Sequence, residues 1–222
     1  MKGDTTFART LQRAAALLGG KERLREHLRV AMRELDAWLA GVERPPMDVF
    51  LKAVDVISAE ISTPAAFLQR KFAPSERRAM VEAALEAAIT ATGAEMGNVQ
   101  LAVPEGLRIV AQRGFGQPFL DFYAVVHDAS AASCGVAKKT RARVVVPDVA
   151  SSKIFVGTAA EEIMAAAGVR SCQSTPLAGQ AGTLYGMLNT HWASPRELGK
   201  REAETLDQIA SRAAFWLDGG AV

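Results

Sequence analysis

The sequence contains no hydrophobic run long enough to cross a membrane. A membrane-spanning helix needs about 20 consecutive apolar residues, whereas charged residues interrupt every apolar segment of this 222-residue chain. The N-terminus also lacks the apolar core and small-residue cleavage site that mark a secretory signal peptide. We therefore expect a cytoplasmic protein that has no contact with a membrane.

Cysteine and histidine are scarce, with two and three residues in the chain. Two cysteines do not form the disulfide framework of small secreted domains, which agrees with a reducing compartment. No pair of these side chains has the spacing of a metal site, such as HExxH or CxxC. The sequence thus predicts no metal site, and it leaves any cofactor unknown.

Motifs of the common enzyme classes are also missing. There is no P-loop, no GxSxG nucleophile elbow and no GxGxxG dinucleotide fingerprint. Acidic residues of the second half, such as Asp121 and Asp148, are scattered along the chain and not paired. We therefore predict that the protein is not an enzyme.

The net charge of +2 is small, but it is unevenly distributed. Residues 1–72 carry 12 Lys and Arg against 9 Asp and Glu, a net charge of +3. Residues 73–222 carry 14 against 15, a net charge of −1. A basic surplus favours nucleic-acid binding by the first segment, although the basic patch of such proteins is usually denser.

The first sixty residues have the pattern of short amphipathic helices. Apolar residues recur at spacings of three and four, which places them on one face of each helix. Gly19 and Gly20 end the first helix, and Pro45 and Pro46 begin the fourth. Because such short helices bury their apolar stripes only against one another, we predict a helical domain over residues 1–60.

Residues 24–41, LREHLRVAMRELDAWLAG, resemble the helix-turn-helix of the Cro/repressor-type family. LREHLRV corresponds to the first helix and turn, AMRELDAWLAG to the recognition helix, and ERPPMDVFLKAVDVI to the helix that usually follows. The most specific part is the arrangement Trp-Leu-x-Gly-x-x-x-Pro from Trp38 to Pro45. Arg29 departs from the family pattern, which favours glycine or another small residue in the turn.

This resemblance implies that the start of the recognition helix enters the major groove of DNA. Arg33 could then contact guanine and Glu34 could accept from cytosine, while other arginines neutralise phosphates. Glu34 and Asp36 oppose binding, so the alternative is a bundle that docks a signalling protein such as a kinase. The expected DNA-contacting residues are Arg29, Met32, Arg33, Glu34, Ala37 and Arg44.

The pattern changes after residue 60. Residues 61–74 contain prolines and small residues and are predicted to connect two domains, with room for one short helix. The segment SERRAMVEAALEAAITATG then predicts a helix that ends near Gly93.

The rest of the chain alternates strand and helix patterns. NVQLAV and LRIVAQRGF, separated by PEG, are typical of a hairpin. RARVVVPDV predicts a strand, TAAEEIMAAAG a helix, and VRSCQSTPL and TLYGMLNTHW two more strands. A final helix is predicted after a Ser194 cap. This order predicts an antiparallel sheet flanked by helices and an α+β protein overall.

Residues 75–218 resemble a GAF domain, the small-ligand and redox sensor module of bacterial signalling proteins. The matching segments are GNVQLAVPEGLRIVAQRGF, ASCGVAKKTRARVVVPDVA, AAAGVRSCQSTPL and GTLYGMLNTHW. The resemblance is to the subtype that often precedes a histidine kinase, and it implies a sensor whose ligand the fold does not name. Some GAF-type proteins are methionine sulfoxide reductases, but this chain does not match their active-site segments.

The GAF resemblance places a ligand pocket between the sheet and the helices that cross it. Aromatic walls with a few polar groups are typical of small-molecule sites, although the same residues would also make an ordinary core. The expected pocket residues are Phe119, Phe122, Cys134, Phe155, Met164, Gln173, Thr175, Met187, Asn189 and His191. A strand phase that is wrong by one residue would exchange Gln173 for Cys172.

The two cysteines offer a possible redox signal. Cys134 lies near a predicted helix start and before two lysines, and both features lower the pKa of a thiol. Cys134 and Cys172 could form a redox pair if they lie within disulfide distance. The favoured alternative is that they are two small buried residues that pack separately.

Together these patterns predict a signal-responsive regulator, a GAF-like sensor coupled to a DNA-binding helix-turn-helix domain. The alternative is a sensor whose helical domain binds a partner protein. GAF-like domains commonly pair through their terminal helices, and residues 75–92 and 195–217 carry apolar stripes. We therefore expect a two-fold homodimer.

Overall fold

The computed structural model describes residues 6–61, 63–127, 130–179 and 181–220. Two compact units divide the chain between residues 62 and 63. Within the described ranges, none of the helices combines the length and the apolar character that crossing a bilayer requires.

The first unit consists of helices, as its sequence pattern predicts. They are α1 (Thr6–Leu18), α2 (Lys21–Leu28), α3 (Met32–Leu39) and α4 (Met47–Ile61). Each helix contributes one apolar stripe to a common core, because residues three and four apart lie on one helix face. The buried residues of this core include Leu11, Ala14, Leu24, Leu28, Leu35, Trp38, Val49 and Ala53.

The turn between α2 and α3 contains a left-handed residue. Arg29 has φ 58° and ψ 49°, and its backbone N–H donates to carbonyls of the last turn of α2. This conformation costs a residue with a side chain roughly 1–2 kcal/mol, which glycine avoids. The backbone thus adopts at Arg29 the conformation that glycine would favour in this turn.

The second unit begins earlier than the sequence suggests. Residues 64–69 form a short helix, α5 (Pro64–Gln69), which Thr63 caps by accepting from the Ala66 N–H. Phe67 and Phe72 are buried in the core of the second unit. Much of the segment predicted as a linker therefore packs as part of this unit.

The second unit is built on a six-stranded antiparallel sheet, in agreement with the predicted α+β class. The strands are β1 (Met96–Val103), β2 (Gly106–Arg113), β3 (Val125–Val126), β4 (Val144–Val146), β5 (Ser171–Ala178) and β6 (Leu184–Trp192). Their spatial order is β3-β2-β1-β6-β5-β4. The predicted hairpin is β1 and β2, and β1 and β6 form the centre of the sheet.

Helices cover both faces of this sheet. They are α6 (Arg77–Thr92), α7 (Gln117–Phe122), α8 (Ser133–Thr140), α9 (Ala159–Ala166) and α10 (Lys200–Leu217). On one face α5, α6 and α10 bury residues such as Leu85 and Leu206. On the other face α7, α8 and α9 enclose a second core around Phe119 and Phe155.

The last helix starts later than predicted. α10 begins at Lys200, and the N–H of Gly199 donates to the Glu202 carboxylate at 2.8 Å. The acidic side chain in the first turn therefore satisfies a free backbone donor of the helix start. The predicted Ser194 cap is wrong, because the seven residues 193–199 form an irregular connection between β6 and α10.

Candidate functional site

A small cavity lies in the second core, between the sheet and helices α7, α8 and α9. Its volume is about 20 Å³, roughly the room that one water molecule needs. Strands β1 and β6 supply its polar wall, and the helices and the loop at Phe155 supply most of its apolar wall. The lining residues are Asn98, Gln100, Phe119, Tyr123, Ala132, Ser133, Cys134, Phe155, Met164, Asn189 and His191.

The polar wall follows from the alternation of side chains along a strand. Asn98 and Gln100 are two residues apart on β1, and Asn189 and His191 are two apart on β6. All four are buried. The Asn189 side-chain N–H donates to Asn98 Oδ1 at 2.8 Å and to Gln100 Oε1 at 3.3 Å. These three amides therefore hold one another in fixed orientations.

Three polar atoms of this cavity have no hydrogen-bond partner among the described residues. They are Asn189 Oδ1, His191 Nδ1 and Tyr123 Oη. Five buried side-chain atoms lack a partner across all the described residues, and these are three of the five. A buried polar atom without a partner costs about 1–3 kcal/mol. Such atoms are rare in native structures, so their concentration here makes this cavity the candidate functional site.

Aromatic rings surround His191. The Phe115 and Phe119 rings meet the imidazole edge-on, with centroids 5.0 and 6.0 Å away. Burial lowers the pKa of His191 to about 3, because the charged form would lose its hydration. The ring is therefore neutral at physiological pH.

Both cysteines are buried free thiols. Burial raises the pKa of Cys134 to about 11 and that of Cys172 to about 12. The expected lowering of the Cys134 pKa is not found, because loss of water outweighs its position as the second residue of α8. The following lysines, Lys138 and Lys139, lie in the last turn of that helix.

The second cysteine lies on the cavity side of β5, in a small cluster of polar side chains. Its thiol donates to Ser133 Oγ at 3.5 Å, and Ser133 Oγ lies 2.9 Å from Ser174 Oγ. Ser133 and Ser174 thereby join the start of α8 to β5 behind the cavity.

The structure brings six of the ten predicted pocket residues to the cavity. These are Phe119, Cys134, Phe155, Met164, Asn189 and His191. Met187 lies in the same buried core but does not line the cavity. Phe122, the last residue of the short helix α7, lies at the surface with 43% of its area exposed.

Gln173 and Thr175 lie on the opposite face of β5. Thr175 donates to Gln173 Oε1 at 2.6 Å, and Gln173 Nε2 donates to Thr190 Oγ1 at 3.1 Å. Arg143 donates to Thr175 at 2.8 Å and also contacts α10. Assigning them to the pocket was an error of one residue in strand phase, which moves a side chain to the other face.

Five lining residues were missed by the sequence reasoning. Asn98 and Gln100 carried a usable signal, since two amides alternate with apolar residues in the buried strand NVQL. Tyr123, Ala132 and Ser133 carried none, because they lie at the ends of the short helices α7 and α8 or in the residues beside them. The missed residues are Asn98, Gln100, Tyr123, Ala132 and Ser133.

The predicted DNA-contacting residues lie around α3 in the first unit. Arg29, Arg33, Glu34 and Arg44 are exposed, whereas Met32 and Ala37 are half-buried. The Arg44 guanidinium lies 5.6 Å from the centre of the Phe7 ring.

Both acids of α3 are engaged within the first unit. Glu34 accepts from the Ala31 N–H at 3.1 Å and so caps its own helix. Asp36 accepts from Lys21 Nζ at 2.9 Å, and this hydrogen bond raises the pKa of Lys21. The acids that oppose DNA binding are thus each held by a local donor.

No group of three His, Cys, Asp or Glu residues that could hold a metal ion occurs in the described part of the chain. The polar groups of the cavity are amides, hydroxyls, a thiol and a neutral imidazole. Each of these groups can donate to or accept from an organic ligand.

The family described as the GAF domain matches residues 75–218. None of the curated proteins matches the chain. Solved structures with a similar fold include the blue-light-absorbing form of the PixJ GAF domain from Thermosynechococcus elongatus. Its identity is 18%, with 65% of this chain and 86% of that chain covered and a TM-score of 0.53.

Two further structures have comparable similarity. The GAF domain of an Acinetobacter phosphoenolpyruvate-protein phosphotransferase is 10% identical, covering 75% of this chain and 94% of that chain, with TM-score 0.55. A type II free methionine-R-sulfoxide reductase from Thermoplasma acidophilum is 16% identical, covering 64% and 92%, with TM-score 0.51. At such identities the similarity shows a shared fold.

The neutral, buried state of His191 predicts a pH dependence of stability. Its pKa is about 3 when folded and about 6.5 when unfolded, so only the unfolded state gains a proton between these values. The contribution of the neutral His191 ring to the free energy of unfolding is thus fully present above about pH 6.5 and is lost progressively as the pH falls below that value. Urea unfolding should show wild type losing about 2 kcal/mol more than His191→Gln between about pH 7 and pH 5. The exposed-site control His127→Gln should behave as wild type, and equal losses in wild type and His191→Gln would contradict the buried neutral ring.

Burial of both thiols predicts slow chemical modification. With iodoacetamide at about pH 8, a free thiol reacts readily through its thiolate. In the native protein, neither Cys134 nor Cys172 should be alkylated appreciably in the time that fully labels both in denaturant. Rapid labelling of Cys134 in the native protein, detected by peptide mass spectrometry, would contradict this prediction and support the hypothesis of a reactive sensor thiol.

Proposed function

The chain belongs to the GAF domain family, and we propose that it is a signal-responsive regulator. In this proposal the GAF domain binds a small molecule, and the N-terminal helical unit binds DNA. The observation that carries the first part is the convergence of Asn189 Oδ1, His191 Nδ1 and Tyr123 Oη on one cavity. A bound molecule that satisfies these atoms would remove their desolvation cost and so stabilise the liganded domain.

A ligand larger than water needs more room than about 20 Å³. Met164 lines the cavity from α9, and its unbranched side chain can change rotamer at low cost. Phe119 and Phe155 would then form the apolar walls. Ligand binding would thus be coupled to a rearrangement of the helical side of the cavity, which is the behaviour that a sensor requires.

Binding, and not catalysis, is the proposed role of this cavity. Both thiols are held in their protonated form by burial, which raises the pKa of Cys134 to about 11. The imidazole of His191 has no carboxylate beside it among the lining residues. A nucleophile paired with a base, as a covalent mechanism needs, is therefore not present in this lining.

DNA binding by the first unit is supported by the arrangement of α2 and α3. Residues 29–31 join the two helices, and a turn of three or four residues is typical of helix-turn-helix motifs. Arg33 is exposed at the start of α3, where a recognition helix contacts bases. Because Glu34 caps the helix and Asp36 pairs with Lys21, neither carboxylate is left without a donor to face the phosphates.

A different observation favours the alternative, a helical unit that docks a partner protein. Val42, Met47 and Leu51 have exposed fractions of 68%, 61% and 53%. Met47 and Leu51 are four residues apart and so share one face of α4. Exposed apolar residues that are close together are typical of protein interaction sites.

We also propose a homodimer, for which the family resemblance is a stronger argument than the apolar stripes of the two terminal helices. Leu206, Ile209 and Ala213 of α10 are buried against the sheet and α6 within one chain. A dimer through the terminal helices would therefore use the outer face of α10, where Phe215 is half-exposed.

The DNA-binding proposal is tested by gel shifts of the full chain against genomic fragments at several stated salt concentrations. Arg33→Ala should lose about 1–3 kcal/mol at one base position. Arg29→Ala and Arg44→Ala should weaken binding to all sequences and reduce the salt slope by about 1 each. Arg201→Ala, an exposed arginine of the GAF domain, is the matched control and should have no effect.

The opposite result would make the surface around Arg33, Glu34 and Asp36 the first place to look for a protein partner. If wild type shows no salt-dependent binding to any fragment, the DNA-binding part of the proposal fails. The small-molecule part does not depend on this result, since its site lies wholly within the second unit.

A further inference from the structure

We propose that the ligand of this cavity is a small uncharged molecule that offers both a hydrogen-bond donor and an acceptor, such as a primary amide. This inference rests on the proposed small-molecule binding and names its chemical class. It is carried by the three unpartnered polar atoms of the lining residues and by the absence of charged side chains from the lining.

Asn189 requires a donor on the ligand. Its amide nitrogen already donates to Asn98 Oδ1 and Gln100 Oε1, so the other end of the amide is an oxygen that can only accept. This oxygen is the atom without a partner. A ligand N–H or O–H is therefore needed to satisfy it.

Tyr123 requires an acceptor on the ligand. Burial raises the pKa of this phenol above its usual value, so the hydroxyl keeps its proton. A buried hydroxyl without a partner is best satisfied by donating to an oxygen or nitrogen. His191 Nδ1 adapts to either kind of group, because the neutral ring can carry its proton on either nitrogen.

The lining excludes a formal charge on the ligand. None of the eleven lining residues is Asp, Glu, Lys or Arg, and the ionisable ones are Tyr123, Cys134 and His191. The ion pair of Arg143 with Asp207, whose arginine donates to Thr175 of β5, lies on the other face of the sheet. A carboxylate or ammonium in the cavity would lose its hydration without gaining a counter-charge, which is strongly unfavourable.

The remaining walls select a molecule with a short apolar part. Phe119, Phe155 and Met164 line the cavity opposite the strands and are buried. An alkyl or other small apolar group would lie against these side chains, while the amide faces β1 and β6. The cavity would thus bind the polar end of the ligand on one side and its apolar end on the other.

The test compares three probes of similar size and different charge: propionamide, propionate and propylammonium. Each is titrated into the full chain at neutral pH, and chemical shifts of backbone and side-chain amides are followed by NMR. Propionamide should perturb the resonances of Asn98, Gln100 and Asn189 and bind about tenfold more tightly than either ion.

The two tyrosines of the chain provide matched variants. Tyr123→Phe removes a hydroxyl that has no partner in the described protein, so the fold should be retained and propionamide should bind about fivefold more weakly. Tyr185→Phe removes a hydroxyl that bonds to Asp218 away from the cavity, and it should leave propionamide binding unchanged.

Two results would overturn the inference in different ways. If propionate or propylammonium perturbs the same cavity resonances at least as strongly as propionamide, the uncharged class is wrong and small-molecule binding stands. If none of the three perturbs them up to its solubility limit, the cavity holds only water. The inference and the proposed sensing role would then both fail.

Discussion

The antiparallel pairing of β1 with β6 is the constraint on which the candidate site depends. This pairing sets Asn98 opposite Asn189 and Met96 opposite His191, so that polar side chains of both strands meet on one face. It also requires close contact between the backbones. A Cβ atom at Gly186 would lie 1.9 Å from the Gln100 carbonyl oxygen, so only glycine fits there. The amide cluster is therefore fixed by strand register, not by loops.

The alternating side chains of strand β5 make contacts on both faces of the sheet. On the cavity side Cys172 and Ser174 meet Ser133 at the start of α8. On the other side Thr175 accepts from Arg143, which also donates to Asp207 of α10. One strand thus contacts both the helix that borders the cavity and, through an arginine, the last helix. These two sets of contacts follow from the alternation of side chains along β5. The same alternation explains why Gln173 and Thr175 were predicted on the wrong face.

Much of the fold could be predicted from the sequence because its periodicity is strong. The four short N-terminal helices, the β1–β2 hairpin and strand β6 all follow their apolar patterns, and β5 was also found although half of its residues are Ser, Thr or Gln. Two-residue β3 and six-residue α7 could not be found, since such short elements owe their conformation to packing. The start of α10 was misplaced because the Glu202 carboxylate, and not Ser194, caps it.

The site was harder to predict than the fold, for physical reasons. The face of a strand depends on the parity of one residue, which β5 does not reveal because polar residues lie on both of its buried faces. The pKa of Cys134 was expected to fall, but burial of the thiol has the larger effect. The partnerless state of Asn189 and His191 on β6 and of Tyr123 after α7 depends on how these elements pack and has no local sequence signal.

The central claim is that these three polar groups converge on one bound molecule. A high-resolution crystal structure of the full chain with propionamide tests it most directly. The account predicts the amide in the cavity, with its nitrogen about 3 Å from Asn189 Oδ1 and its oxygen about 3 Å from Tyr123 Oη. A cavity that excludes the amide and contains only a water molecule bonded to the same three atoms would contradict it.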